Sequence, residues 1–152
     1  MRPLSCKDLQ IWDTPFARER WPSIWLIPET HGESTATVVV APGGVNAYPK
    51  YLVRFSAVYA FESEEEAGGL TFQDGSIQRS TEDLGCAYVW RDSPQAKGYA
   101  PFVPDMPFHG GRGPVVHYVL LGGDNNVGVI SAEPPTIERV DNPRHLTLTH
   151  EV

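Results

Sequence analysis

Residues 51–62 read YLVRFSAVYAFE. Tyr51, Val53, Phe55, Ala57, Tyr59 and Phe61 fall on alternate positions. Side chains of an extended strand point to opposite faces with a period of two, so this pattern lines the six along one core face. The other set, Leu52, Arg54, Ser56, Val58, Ala60 and Glu62, is mixed, as suits a face only partly covered. A helix would scatter Arg54, Ser56 and Glu62 around its cylinder, and the aromatic and β-branched content favours a pleated surface. The stretch is therefore predicted as one long strand near the middle of an antiparallel sheet.

Working outward, the neighbouring segments repeat this grammar. Ile24 to Ile27 and Thr35 to Ala41 read as strands joined by a polar loop, with Ala41-Pro42-Gly43-Gly44 as a break. Leu70 to Arg79 carries Asp74-Gly75 between two arms, the signature of a tight hairpin. Cys86 to Arg91 is a further strand. Val115 to Leu121 and Val127 to Ala132, apolar on both faces and joined by Gly122 to Asn126, form a hairpin expected to be central. Pro134-Pro135 interrupts pairing, Thr136 to Val140 follows as a short edge strand, and residues 145–152 alternate again. Before all of these, Leu4, Ser5, Asp8 and Leu9 resemble a helix start, and Thr14-Pro15 offers a second one before Pro22. Short helical turns over residues 5–21 would bring Trp12, Phe16 and Trp21 over one end or edge of the sheet.

A chain of 152 residues with 41% hydrophobic content is one ordinary domain with enough apolar material for a core. Its 14 Gly and 14 Pro punctuate strand-like runs and imply many turns. The fold class expected is mainly β: a single antiparallel β-barrel or sandwich spanning residues 1–152, of about seven to nine strands, with a short helical N-terminal segment.

The formal charge of −7 comes with 12 basic residues scattered along the chain, so a nucleic-acid partner is not expected. The first twenty residues lack the apolar region of a secretory signal, and no apolar run reaches the ~18 residues that span a bilayer. A cytoplasmic location without membrane association is the expectation. Cys6 and Cys86, two lone thiols far apart, make neither a disulfide framework nor a metal motif.

Residues 92–114, DSPQAKGYAPFVPDMPFHGGRGP, break the short-loop pattern. Loops beyond about 12–15 residues are uncommon in compact domains unless they carry function. The apolar Tyr99, Phe102, Val103, Met106 and Phe108 must pack on this domain or on a partner, which makes Tyr99, Phe102, Met106 and Phe108 the candidate interaction loop.

Four polar residues are candidate ligand-binding groups. His109 and Arg112 frame the glycines of HGGRG, where successive backbone N–H groups and a guanidinium suit an anion. His117 shares an apolar strand face with Val115, Val119 and Leu121, the setting of a hydrogen-bonded core histidine or of a buried reactive one. Arg54 lies on the mixed face of the 51–62 strand, where it joins Glu62 and Arg91 in a charged row, or becomes an anion ligand if that face lines a barrel. His31 and Glu33 have an H-x-E spacing, but one such pair in a polar loop does not predict a metal site, and no metal or cofactor is expected. No nucleotide-binding glycine motif and no GxSxG nucleophile segment is present.

The sequence leans against an enzyme. It points first to a non-enzymatic binding or protein-interaction module, with a homodimer through a sheet edge as one arrangement it allows. The alternatives are a small-molecule-binding protein or enzyme with a polar site inside a barrel, and an acidic inhibitor of a basic partner protein.

Overall fold

In the computed structural model the 51–62 stretch does not run straight. It bends at Ser56 and Ala57 and passes from one sheet to another. The structure describes residues 9–28, 35–65, 85–90, 93, 95–96, 115–123 and 125–143. These form nine strands: β1 (Leu9–Ile11), β2 (Ser23–Pro28), β3 (Ala36–Ala41), β4 (Lys50–Phe55), β5 (Val58–Glu65), β6 (Ala87–Trp90), β7 (Val116–Leu121), β8 (Asn125–Ser131) and β9 (Thr136–Val140). Every pairing is antiparallel, in a four-stranded sheet ordered β2-β3-β4-β9 and a five-stranded sheet ordered β1-β6-β7-β8-β5. The arrangement is sandwich-like, and the described strands do not close into a barrel.

The expected row of six inward side chains is broken twice. Tyr51, Val53 and Phe55 do enter the core between the sheets, and β4 is an inner strand. At the bend the chain is pinned to the end of β8 by Ala132 N–H, which donates to Ala57 C=O at 2.9 Å. The register then shifts between Val58 and Ala60, a bulge around Tyr59. One inserted residue exchanges the two faces of a strand. Val58 therefore still packs on the inter-sheet core, whereas Tyr59 and Ala60 both pack on the opposite side of the sheet. Phe61 pairs with Val129, a core residue, and so returns to the inner side, but β5 is at the sheet edge and the ring stays 50% exposed.

The N-terminal helical segment is not formed over the described residues. Leu9–Ile11 is an edge strand on β6, and residues 14–19 make two successive i→i+3 turns, Ala17 N–H to Thr14 C=O and Glu19 N–H to Phe16 C=O. Backbone groups that a helix would use internally pair instead with the sheet: Trp12 N–H donates to Ala87 C=O, and Ala17 C=O accepts from Cys86 N–H. Trp12 and Phe16 consequently pack in the core rather than over an end, and Trp21, at a positive φ of 55°, is 54% exposed.

The remaining strands match the alternation closely. The β2/β3 and β7/β8 pairs form where expected, β7 and β8 are inner strands, and β9 is an edge. Cys86 is buried, and its thiol donates to Phe16 C=O at 3.2 Å. The expected hairpin at 70–79, the strand at 145–152, and Cys6 lie outside the described residues.

Both sheets carry apolar side chains on their outer faces too. Val39, Leu52 and Val140 are buried on the outer side of the four-stranded sheet, and Leu9, Tyr88, Trp90, Val119 and Leu121 on that of the five-stranded one. No helix among the described residues is long and apolar enough to cross a membrane.

Gly85 is the tightest backbone contact. Its φ is +120°, and a Cβ there would meet Ala17 C=O oxygen at 1.8 Å. Gly85→Ala is expected to lose more than the roughly 1–3 kcal/mol of the unfavourable conformation alone. Urea denaturation measures this, and a variant as stable as the parent would refute the contact.

Candidate functional site

The polar residues singled out by sequence separate onto opposite sides of the sandwich. His117, on β7, alternates with the inward Val116, Tyr118 and Leu120, so it faces outward from the five-stranded sheet beside Val119 and Leu121. It is 0% exposed and stacks on Trp90, its register partner on β6, with ring centroids 4.9 Å apart and planes at 33°. Its Nδ1 is 2.6 Å from the Ser93 hydroxyl, which is also buried and accepts a hydrogen bond from Ala96 N–H at 3.1 Å. Ser93 thus caps the helical residues Gln95 and Ala96.

Ser93 and Ala96, the buried residues described from the 92–114 stretch, therefore lie against their own sheet. Ala96 packs with Val115 and Ile130 on that outer face. Loss of hydration holds the His117 imidazole well below its usual range, at about 3. A serine beside a histidine is the geometry of an activated nucleophile. Here both groups are buried, and the serine oxygen also accepts from Ala96 N–H, so the pair holds residues 93–96 against β7.

On the far side, Arg54 and Lys50 lie on the outward face of β4 with Leu52 between them. The Arg54 guanidinium pairs with Glu138 of β9, and both side chains are partly exposed. This corrects two expectations. The partner of Arg54 is not Glu62, which the bend carries to the other sheet, and Arg54 does not line the inside of a barrel. Arg91, the third member of the expected row, is outside the described residues.

Lys50 is only 3% exposed. Its Nζ lies 4.6 Å from the ring centroid of Tyr48 and 5.5 Å from that of Trp25, over aromatic faces whose quadrupoles attract a cation. Lys50 was not singled out by sequence, although it opens an apolar strand in phase with Leu52 and Arg54. Ser93 was not either, although Ser-Pro is a helix-cap signal.

His109, Arg112, Tyr99, Phe102, Met106 and Phe108 lie outside the described residues, as do His31 and Glu33. Among the described residues no three His, Cys, Asp or Glu side chains gather where a metal could bind.

The remaining distinctive surface is the β5 edge. Among the described residues β5 pairs on one side only, with β8, and presents Phe61 in mid-strand. Of the edges of the four-stranded sheet, β9 carries Glu138 and Arg139, the latter paired with Asp141, and β2 packs Trp25 and Ile27 against its own sheet's outer face. Compared with protein-family models, with curated proteins and with solved structures, the chain matches none.

Two outcomes check this account. The folded His117 pKa of about 3 lies below its ordinary 6.5, so between these pH values the unfolded chain binds a proton that the folded one refuses. The contribution of His117 to stability is complete above pH ~6.5 and declines on acidification, by at most about 1.4 kcal/mol per pH unit. Equilibrium unfolding across this range should show a shallower pH slope for His117→Asn than for the parent, and equal slopes would contradict the buried neutral imidazole. Lys50→Met should keep stability within about 1 kcal/mol, because relief of ammonium desolvation offsets the lost ring contacts. A loss of about 3 kcal/mol or more in urea would instead show that the charge is paired.

Proposed function

We propose that the protein is a non-enzymatic binding module that engages a protein partner along the β5 edge. The observation that carries this is the Phe61 ring, 50% exposed in the middle of an eight-residue edge strand. Edge strands offer unpaired N–H and C=O groups, and an aromatic ring beside them adds apolar area to any chain that pairs there. Among the described residues the other large exposed apolar side chains, Trp21 and Val45, lie in turns, where no such backbone row accompanies them.

The placement of the chemistry-bearing groups among the described residues supports a reading without catalysis. Ser93 and His117 on one side, and Lys50 and Arg54 on the other, are separated by two packed sheets roughly 10 Å apart, so they cannot act on one small substrate. Each is also engaged inside the fold, by the turn cap, the Trp90 ring, the aromatic pair or Glu138.

A photo-cross-linking amino acid at position 61 of the full chain tests this in the cells that express it. A discrete protein adduct is expected from position 61 and not from the exposed position 19 on the turn before β2. No adduct, or the same adducts from both positions, would overturn the reading.

A further inference from the structure

Lys50 carries a charge that the described fold surrounds but does not neutralise. The residue opens β4 and is almost wholly buried, with its Nζ 4.6 Å from the Tyr48 ring centroid and 5.5 Å from that of Trp25. Among the described residues no carboxylate pairs with it. Glu138 and Asp141, the acidic side chains of β9 and its end, are held by Arg54 and Arg139. We propose that Lys50 anchors a binding site for a small organic carboxylate, which pairs with the ammonium and lays its apolar body against Trp25 and Tyr48. The site belongs to the four-stranded sheet and goes beyond the reading of the β5 edge given above.

Ring faces attract a cation, but that attraction is small beside the hydration an ammonium gives up on burial. Buried charges in folded proteins are accordingly paired with an opposite charge. An anion that reaches Nζ therefore recovers free energy that the two rings leave unrecovered, and a neutral molecule of the same shape does not. Trp25 and Tyr48 are themselves only partly buried, so the approach to Nζ lies along their exposed edges.

The surroundings select the kind of anion. Lys50 pairs in register with Val140, and Leu52 follows it on the same face; both are buried and apolar. The next cation on this face of β4 is Arg54, four residues or roughly 13 Å further along an extended strand, and Glu138 already holds it. Phosphate is bound by several donors at once, from guanidinium forks or nests of backbone N–H groups. A single ammonium among aromatic and aliphatic side chains suits a singly charged group on an apolar body, where one polar contact fixes orientation and the rest of the contact is hydrophobic.

The test uses the full chain and follows the Trp25 indole N–H by heteronuclear NMR, assigned with Trp25→Phe. The protein is titrated with benzoate, phenylacetate and hexanoate, and with the amide of each. At least one acid is expected to shift the resonance saturably below about 10 mM, and to bind roughly tenfold or more tightly than its amide. Lys50→Met should lower the affinity for that acid to the level of the amide, and Lys50→Arg, which keeps the charge, should retain part of it. Equal affinities for acid and amide on the parent chain would overturn the inference, as would the absence of a saturable shift with all three acids. Undiminished binding of the acid by folded Lys50→Met, or its displacement by an equal concentration of inorganic phosphate, would overturn it too. Should Lys50→Met not fold, the comparison of acid with amide on the parent chain decides alone. Each of these results leaves the position-61 cross-link unaffected, so the inference and the reading of the β5 edge fall separately.

Discussion

The contact on which the two sheets depend is aromatic. Phe55 of β4 meets Tyr118 of β7 with ring centroids 5.3 Å apart, and Trp12 lies against both, 4.8 Å from Tyr118 and 6.5 Å from Phe55. Phe16 extends the cluster from Trp12 to Tyr51. Rings in tilted and edge-on contacts bury large areas and favour particular orientations, so the cluster fixes how one sheet sits on the other. It also explains the conformation of residues 9–19. Trp12 and Phe16 can reach this cluster because the segment follows the sheet edge and then turns, whereas a helix would place them on a cylinder beside it.

With the inter-sheet core filled in this way, the polar residues are left to the outer faces and edges. His117 alternates with Tyr118, so an inward tyrosine dictates an outward histidine. Lys50, Leu52 and Arg54 are outward because Tyr51, Val53 and Phe55 are inward. The dispersal of ionisable groups is thus a direct consequence of which side chains build the core. The apolar outer faces extend the same logic: Val39 on one sheet and Val119 on the other are fully buried on the side away from the main core, so each sheet is covered on both faces.

Much of the strand inventory is legible in the sequence, because period-two patterns and glycine-rich turns mark β2, β3, β6, β7, β8 and β9 without any knowledge of their partners. The division of residues 51–62 is not. Ser56 and Ala57 carry no turn signal, and the alternation continues in phase through them, so nothing local separates a long strand from two strands in different sheets. The bulge at Tyr59 is defined by its pairing with β8, and pairing is absent from a one-dimensional pattern. β1, at three residues, is too short to show a period. Among the candidate residues, the apolar face around His117 was legible, but its bond to Ser93 depends on a return of the chain that spacing alone does not encode. Arg54 was found while its partner was misassigned, because the nearest carboxylate in the strand, Glu62, belongs to the other sheet and the true partner is 84 residues away.

The bend that hides from the sequence is also what creates the proposed surface. Had residues 51–62 continued as one strand in the four-stranded sheet, Phe61 would have followed Phe55 inward and the acidic residues would have run past the sheet's end. Crossing at Ser56–Ala57 instead delivers the stretch to the margin of the five-stranded sheet, where β8 pairs with one side of it. The bulge then resets the phase so that Phe61 aligns with Val129, at a position where the second sheet does not fully cover it. A ring that reads as core in the sequence becomes half exposed because of where the chain crosses. On a strand that pairs on one side only among the described residues, that ring lies at a margin, a position the same residue in an inner strand would not have.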